Sequence, residues 1–199
     1  SVSQINTDPA MALGTTLVTP IEMAQGYDTF ANGGYRIAAY GIERIRTANG
    51  QVLFQHHVPL ATPAVLNPSV DEMQRMMRTV MAVGTGTHAN IAGYDLAGKT
   101  GTTSDYKDAW FCGYTGGITT VVWTGRDDAK PMSRITGATA PSEIWRSYMQ
   151  VALKRLPNGP IPPGPPAPLP VVPTPVDATA PPDAAPVPTP TPTPTSPAV

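Results

Sequence analysis

The chain has 199 residues, 41% of them hydrophobic and 14% charged, with a formal net charge of −1. Of its 25 prolines, 18 lie from residue 157 onward, where no aromatic side chain occurs and only Asp177 and Asp183 carry charge. Without those two aspartates the first 156 residues carry +1, which favours neither nucleic acid nor an acidic surface, and the lone Cys112 excludes an internal disulfide or a cysteine-built zinc site.

Residues 1–156 hold enough apolar side chains for one ordinary domain, or for part of a larger one. Residues 157–199 are too poor in large apolar side chains to build a core and read as a disordered, proline-rich tail. Its Pro-Thr repeats, Pro188 to Thr195, can bind an SH3-like partner, but a spacer of extended polyproline character is the plainer reading. No apolar run is long enough to span a bilayer, and the start lacks a charged segment followed by an apolar one. A membrane anchor or export signal is therefore expected outside this chain. A chain that opens at Ser1 without methionine also reads as a fragment or a processed product.

In chain order, Thr19-Pro20-Ile21-Glu22 is a capping box with proline at the first helical position. Met23, Ala24, Tyr27, Phe30 and Ala31 follow at helical spacing, and Asn32-Gly33-Gly34 ends the helix. A β-rich stretch from Tyr35 to Arg46 precedes Asn49-Gly50 and Gln51 to Phe54, which predicts a hairpin of open turn type. Ser69-Val70-Asp71-Glu72 reads as a second capping box. It opens a helix whose apolar stripe is Met73, Met76, Met77, Val80 and Met81, taken as core. Gly84-Thr85-Gly86-Thr87 ends it in a flexible connection. Ala109 to Thr115 and Ile118 to Thr124, joined by Gly116-Gly117, predict another hairpin. The last helix, from about Pro141 to Leu156, presents Trp145, Tyr148, Met149, Ala152 and Leu156 on one face, and Pro157 closes it. Strands joined by tight turns pair antiparallel, so the fold class is α+β, with helices packed on the faces of an antiparallel sheet.

Lys99 admits two readings. Gly93 to Thr100, GYDLAGKT, spells the G-x-x-x-x-G-K-[ST] of a phosphate-binding loop. Such a loop needs a buried strand before it and a helix starting at the lysine, so that free N–H groups point at phosphate. Residues 84–92 contain no run of β-branched residues able to form that strand, and Gly101-Thr102-Thr103-Ser104-Asp105 is poor helix material. Read forward, Lys99-Thr100-Gly101 is the K-T-G triplet that partners a serine nucleophile in acyl-transfer enzymes. Leu96 to Thr103 can run as an edge strand, with Ser104 to Asp108 as the turn into the next strand. Gly101 leaves room for an incoming peptide to add along that edge. Thr100 and Thr102 share a face and can offer hydroxyls to a terminal carboxylate, Lys99 supplies positive potential, and the Thr102 backbone N–H can serve as an oxyanion donor.

The longer stretch Ala97 to Thr115, AGKTGTTSDYKDAWFCGYT, resembles the third-motif region of class A penicillin-binding proteins. Four further stretches resemble the same family in the same order: ALGTTLVTPIEMAQGYDTFANGG (Ala12 to Gly34), GIERI (Gly41 to Ile45), VGTGTHA (Val83 to Ala89) and APSEIW (Ala140 to Trp145). The resemblance covers nearly all of residues 1–156. It implies the C-terminal part of a D,D-transpeptidase domain with a serine β-lactamase/transpeptidase-like fold, in a bifunctional peptidoglycan synthase whose glycosyltransferase domain comes first.

The implied chemistry is attack of a serine on the penultimate D-alanine carbonyl of a stem peptide, loss of the last D-alanine, and transfer of the acyl group to an amine. β-Lactams mimic the peptide end and trap the serine. By the resemblance Lys99 and Thr102 are catalytic, Thr100, Gly101 and Thr102 bind substrate, and neither a metal nor a cofactor is needed. Stem peptides and β-lactams are the implied partners, with cell-wall, divisome or elongasome proteins as further ones. The implied location is the periplasmic or extracytoplasmic side of the membrane, reached through a segment outside this chain. The family's S-x-x-K and S-x-N motifs are expected upstream of Ser1, so no serine here is read as the nucleophile, and Ser104 is read as a turn residue. The alternative is a truncated, noncatalytic relict or binding module of the same fold.

Remaining polar residues carry little. His56-His57 point to opposite faces of a strand and His88 lies far away, so no metal site is expected. Asp127-Asp128 read as solvated carboxylates at a strand end, and Cys112 as a buried small apolar residue.

Overall fold

Thr19 starts the first helix, α1 (Pro20–Ala31), in the computed structural model, which describes residues 7–167. Its Oγ1 accepts the Glu22 N–H at 3.4 Å while the Glu22 carboxylate accepts the Thr19 N–H at 2.8 Å, so the expected capping box is complete. Strand β1 (Tyr35–Arg36) pairs with β4 (Thr62–Pro63), and β2 (Arg44–Arg46) pairs with β3 (Val52–Gln55). The β-rich stretch from Tyr35 to Arg46 is thus strand only at its two ends. The Asn49-Gly50 turn is held by the Thr47 N–H on the Gln51 carbonyl at 2.9 Å and by the Gln51 N–H on Thr47 Oγ1 at 3.0 Å.

Helix α2 (Ser69–Val83) departs from its predicted start. Ser69 is the first helical residue and makes no capping bond. Asn67 does that work instead, its Oδ1 accepting the Asp71 N–H at 3.4 Å and its Nδ2 donating to the Asp71 carboxylate at 2.9 Å. The buried face is Val70, Gln74, Met77 and Met81, while Met73 and Met76 are exposed. A glutamine can replace a methionine in that seam because its Nε2 donates to the carbonyls of Phe30 and Pro162, both at 2.9 Å, so burial leaves no polar atom unpaired.

Strands β5 (Ala97–Thr102), β6 (Asp108–Thr115) and β7 (Ile118–Gly125) form an antiparallel sheet in the order β5-β6-β7. Helix α3 (Ala140–Arg155) covers one face: Trp145 is fully buried, its ring 5.2 Å from that of Phe111 and its Nε1 donating to the Thr120 carbonyl at 3.0 Å. Alternate residues of β6 face the other way, and there Tyr114 meets Tyr27 of α1 with ring centroids 6.4 Å apart. Helix α2 packs against β5 and feeds both clusters, Met81 beside Phe111 and Trp145, Met77 beside Ala97 and Tyr114. This is the expected α+β arrangement with helices on both faces. Along α3, Tyr148 and Leu156 are exposed and Ser142 and Leu153 are buried instead. The Ser142 hydroxyl lies within 2.8 Å of the carbonyls of Ala138 and Thr139, which makes its burial tolerable.

Residues 158–165, which the sequence reading assigns to the tail, are bound to the body. Gly116 and Gly159 exchange backbone hydrogen bonds at 3.0 and 2.8 Å. The Ile161 N–H donates to Asp95 and the Gly164 N–H to Asp71, each at 2.9 Å. Proline-rich chain has few donors to satisfy, and here those few meet fixed acceptors while Ile161 is buried. Composition hides this, because the partners lie far away in sequence. The Pro-Thr repeats and the rest of residues 168–199 lie outside the described residues.

Candidate active site

Lys99 stands in the middle of a strand with no helix beginning beside it, so the geometry of a phosphate-binding loop is absent around it. Strand β5 is the edge of its sheet, and among the described residues no strand pairs with its outer side. The Thr103 N–H donates inward to the Asp108 carbonyl at 3.0 Å. Antiparallel alternation then turns the backbone groups of Gly101 and Lys99 toward β6 and those of Thr100 and Thr102 toward the open edge. The Thr102 N–H therefore points away from β6, toward the open edge.

Side chains alternate the other way. Lys99 lies across from Cys112 and Gly101 across from Trp110, and all four belong to the α1 face. A groove of about 790 Å³ opens on that face, bounded by the segment from Leu13 to Pro20, by Met23 and Tyr27, and by residues 99–104 of β5 and its turn. Asp108, Trp110, Cys112 and Trp123 complete its floor. The Lys99 ammonium reaches the edge and donates to the Thr100 carbonyl at 2.8 Å. Thr100 and Thr102 share the opposite face and meet the groove along the edge. The Thr100 hydroxyl lies 2.6 Å from that of Thr85, and Thr102 Oγ1 accepts the Gly137 N–H at 3.0 Å. A hydroxyl that accepts one bond still has its own proton to donate, which is what a carboxylate needs. Gly101 matters by subtraction, since a Cβ there would sit 3.3 Å from the Trp110 Cβ and cover that ring.

The groove is mostly neutral. Cys112 is buried, and that burial pushes its thiol up to about 12, which keeps it protonated and unreactive. Burial also pushes the Tyr27 hydroxyl above its ordinary range. Thr16 Oγ1, in the wall, is buried without a hydrogen-bond partner among the described residues. Such a group costs about 1–3 kcal/mol.

Sequence reasoning missed three contributors. Thr85 was visible only as a member of the Val83 to Ala89 stretch and Gly137 lies in none of the quoted stretches, and no local signal says that they fix the two threonines. The Trp110 and Trp123 pair follows from strand register, which pattern alone did not supply. One correction concerns the serines. Ser104-Asp105-Tyr106-Lys107 spells S-x-x-K within the chain, although the motif is expected upstream of Ser1. Lys107 pairs with Asp105 at 2.8 Å in an exposed turn where Tyr106 has φ 57°, so serine and lysine are not on one helical face. Ser104 is a turn residue. The other polar candidates stay apart from the groove: His56 stacks on Tyr40 at 3.8 Å, His57 is exposed, and Asp128 pairs with Arg126 at 2.8 Å, which lowers its carboxyl to about 2.

Comparison with known proteins agrees with this geometry. Residues 3–144 match the family model described as the penicillin binding protein transpeptidase domain. Penicillin-binding protein 1A of Neisseria lactamica is 40% identical over 161 residues, which cover 78% of this chain and 20% of that protein. The chain thus spans about a fifth of the length of the curated relatives it matches. The penicillin-binding protein PonA1 of Mycobacterium tuberculosis is 32% identical, with a TM-score of 0.69 over 77% of this chain and 43% of that one, and its complex with penicillin V gives 0.68. Penicillin-binding protein 1A of Haemophilus influenzae is 25% identical, with a TM-score of 0.70 over 80% of this chain and 30% of that one. An open strand edge carrying Lys-Thr-Gly-Thr above a groove, within a fold and a sequence that both match over most of the chain, leads to one assignment: the chain belongs to the family of penicillin-binding protein transpeptidase domains.

Proposed function

We propose that this chain forms the substrate-binding wall of a serine-type D,D-transpeptidase that cross-links peptidoglycan, with the nucleophile supplied by a part of the protein upstream of Ser1. The observation that carries the reading is the open edge of β5, where the Lys99 ammonium and the outward backbone groups of Thr100 and Thr102 lie beside one groove. A stem peptide adds to that edge as an extra strand, and Gly101 lets its backbone approach. Lys99 and the threonine hydroxyls attract the terminal carboxylate.

The upstream serine Oγ then bonds to the penultimate D-alanine carbonyl carbon, and the Thr102 N–H steadies the oxyanion that forms. Collapse breaks the C–N bond, and the departing D-alanine amine takes up a proton. An acceptor amine attacks the acyl-enzyme next, its nitrogen gives up a proton, and the serine regains one. A β-lactam enters the same way, but its opened ring stays attached and blocks the second step. This reading carries with it a glycosyltransferase domain elsewhere in the whole protein, a site on the extracytoplasmic side of the membrane, and inactivity of residues 1–199 alone. Among the described residues no helix is long and apolar enough to cross a membrane.

A labelled penicillin tests it. The full-length protein is expected to be labelled covalently, the 199-residue chain is not, and Lys99→Ala in the full-length protein slows labelling by about a hundredfold or more. Labelling of Lys99→Ala at the unaltered rate, or of the isolated chain, would overturn the assignment.

A further inference from the structure

Helix α2 packs along strand β5 and meets it at three levels. Arg78 pairs with Asp95, just before the strand, at 2.7 and 2.8 Å, and Met81 Sδ lies 3.2 Å from where a Cβ on Gly98 would stand. Past the helix end, the Thr85 hydroxyl lies 2.6 Å from that of Thr100. The turn that carries Thr85 is fixed, although a glycine flanks it on each side. The N–H groups of Gly84 and Gly86 both donate to the Val80 carbonyl at 3.1 Å. A Cβ on Gly84 would sit 2.8 Å from Val80 Cα, and one on Gly86 would sit 3.1 Å from the Val80 carbonyl oxygen, so Gly84-Thr85-Gly86 lies flat on the last turn of α2. Fully buried Ala89 anchors the far side of the turn in the same cluster as Met81 and Trp145. The connection that its glycines mark as flexible thus holds one hydroxyl in a set place.

We infer that Thr85 is a positioning residue: it donates to the Thr100 hydroxyl from behind and so turns the Thr100 proton toward a carboxylate at the strand edge. The inference rests on the proposed transpeptidase reading and adds to it the residue that makes Thr100 selective for a free carboxylate. The two edge threonines share one face of β5, and comparing them gives the direction of the bond. Thr102 Oγ1 accepts the Gly137 N–H at 3.0 Å, and an N–H can only donate, so the Thr102 proton is left for the edge. The Thr85 and Thr100 hydroxyls can bond in either order. A carboxylate only accepts, so an anion at the edge selects the order Thr85 to Thr100 to carboxylate, in which each bond strengthens the next. The reverse order turns a Thr100 lone pair toward the anion and is repelled. An ester carbonyl takes the same proton far more weakly than a carboxylate, so the loss of Thr85 falls on the charged ligand.

The test compares second-order acylation of the full-length protein by benzylpenicillin and by its methyl ester. The unaltered protein is expected to favour the acid about a hundredfold. Thr85→Val, which keeps the side-chain shape and removes the hydroxyl, lowers the acid rate about tenfold and the ester rate less than twofold. Thr85→Ser restores the acid rate to within about threefold. In a Thr100→Val background, Thr85→Val changes the acid rate less than twofold, because no hydroxyl is left for it to orient. Thr87→Val, two residues further on and exposed, changes neither rate. Equal losses for acid and ester would mean that Thr85 merely shapes the turn, and that result overturns the inference. So does an unaltered acid rate in Thr85→Val, a serine that restores nothing, or a full tenfold loss in the Thr100→Val background. If benzylpenicillin fails to acylate the unaltered protein, or acid and ester react equally with it, the transpeptidase reading fails instead, so the two failures are distinct.

Discussion

Strands β6 and β3 are both rich in apolar residues, yet Phe111 and Tyr114 of the first are fully buried while Leu53 and Phe54 of the second are 62% and 43% exposed. Strand β6 has a partner on each edge and a helix on each face. Strand β3 has one partner, β2, and among the described residues no helix covers either face. A turn and β-forming side chains are enough to make a hairpin, but burial needs a second layer. The stability of the described body therefore resides in the β5-β6-β7 sheet and the helices against it, which is also the part that holds the groove in shape.

Trp145→Ala breaks the buried side of this comparison most directly. The substitution removes a fully buried ring that packs on Phe111 and whose indole N–H satisfies the Thr120 carbonyl. A loss of about 3–5 kcal/mol is expected in denaturant unfolding of the full-length protein. A loss below about 1.5 kcal/mol would mean that the sheet draws its stability from elsewhere.

A smaller effect concerns how residues 158–165 are held to that body. Asp95 takes two bonds from Arg78, at 2.7 and 2.8 Å, and one from the Ile161 N–H at 2.9 Å. The Arg78 guanidinium, aided by that N–H, holds the Asp95 carboxyl below its ordinary range despite partial burial. A carboxyl lowered in the folded state stabilises above its unfolded value of about 3.9, and the contribution fades as pH falls through the folded value. Asp95→Asn is thus expected to cost about 2 kcal/mol near neutral pH and to flatten the loss of stability below about pH 4. Unfolding followed across pH checks both, and an unchanged acid limb would remove Asp95 from the account.

Much of the sheet was legible because its signals are local. The Thr19-Pro20-Glu22 box, the Gly116-Gly117 turn and the run from Ala97 to Thr115 each specify structure within a few residues. What failed depends on distant partners. Gln74 is buried because carbonyls of Phe30 and Pro162 meet its amide, and Ser69 loses the capping role because Asn67 takes it. The prolines from 160 to 165 look like tail until Asp71, Asp95 and Gln74 are seen to bind them. In the site, the Lys-Thr-Gly-Thr edge was readable, whereas the hold of Thr85 and Gly137 on its threonines was not.

The exposed side of the comparison is probed by the smallest global effect. Gly50 closes the β2–β3 turn with φ 88°, a left-handed conformation that costs an alanine about 1 kcal/mol. Because no side chain of the two strands is fully buried, Gly50→Ala should open the hairpin without weakening the sheet. Amide exchange at Arg44–Arg46 and Val52–Gln55 is expected to quicken about fivefold, the factor corresponding to that energy, while exchange in β6 and the global unfolding midpoint stay unchanged. A drop in the global midpoint as large as the local effect would show that the hairpin is coupled to the core after all. The two regions would then unfold as one unit, and the exposure of Leu53 and Phe54 would no longer mark a separate, locally stabilised element.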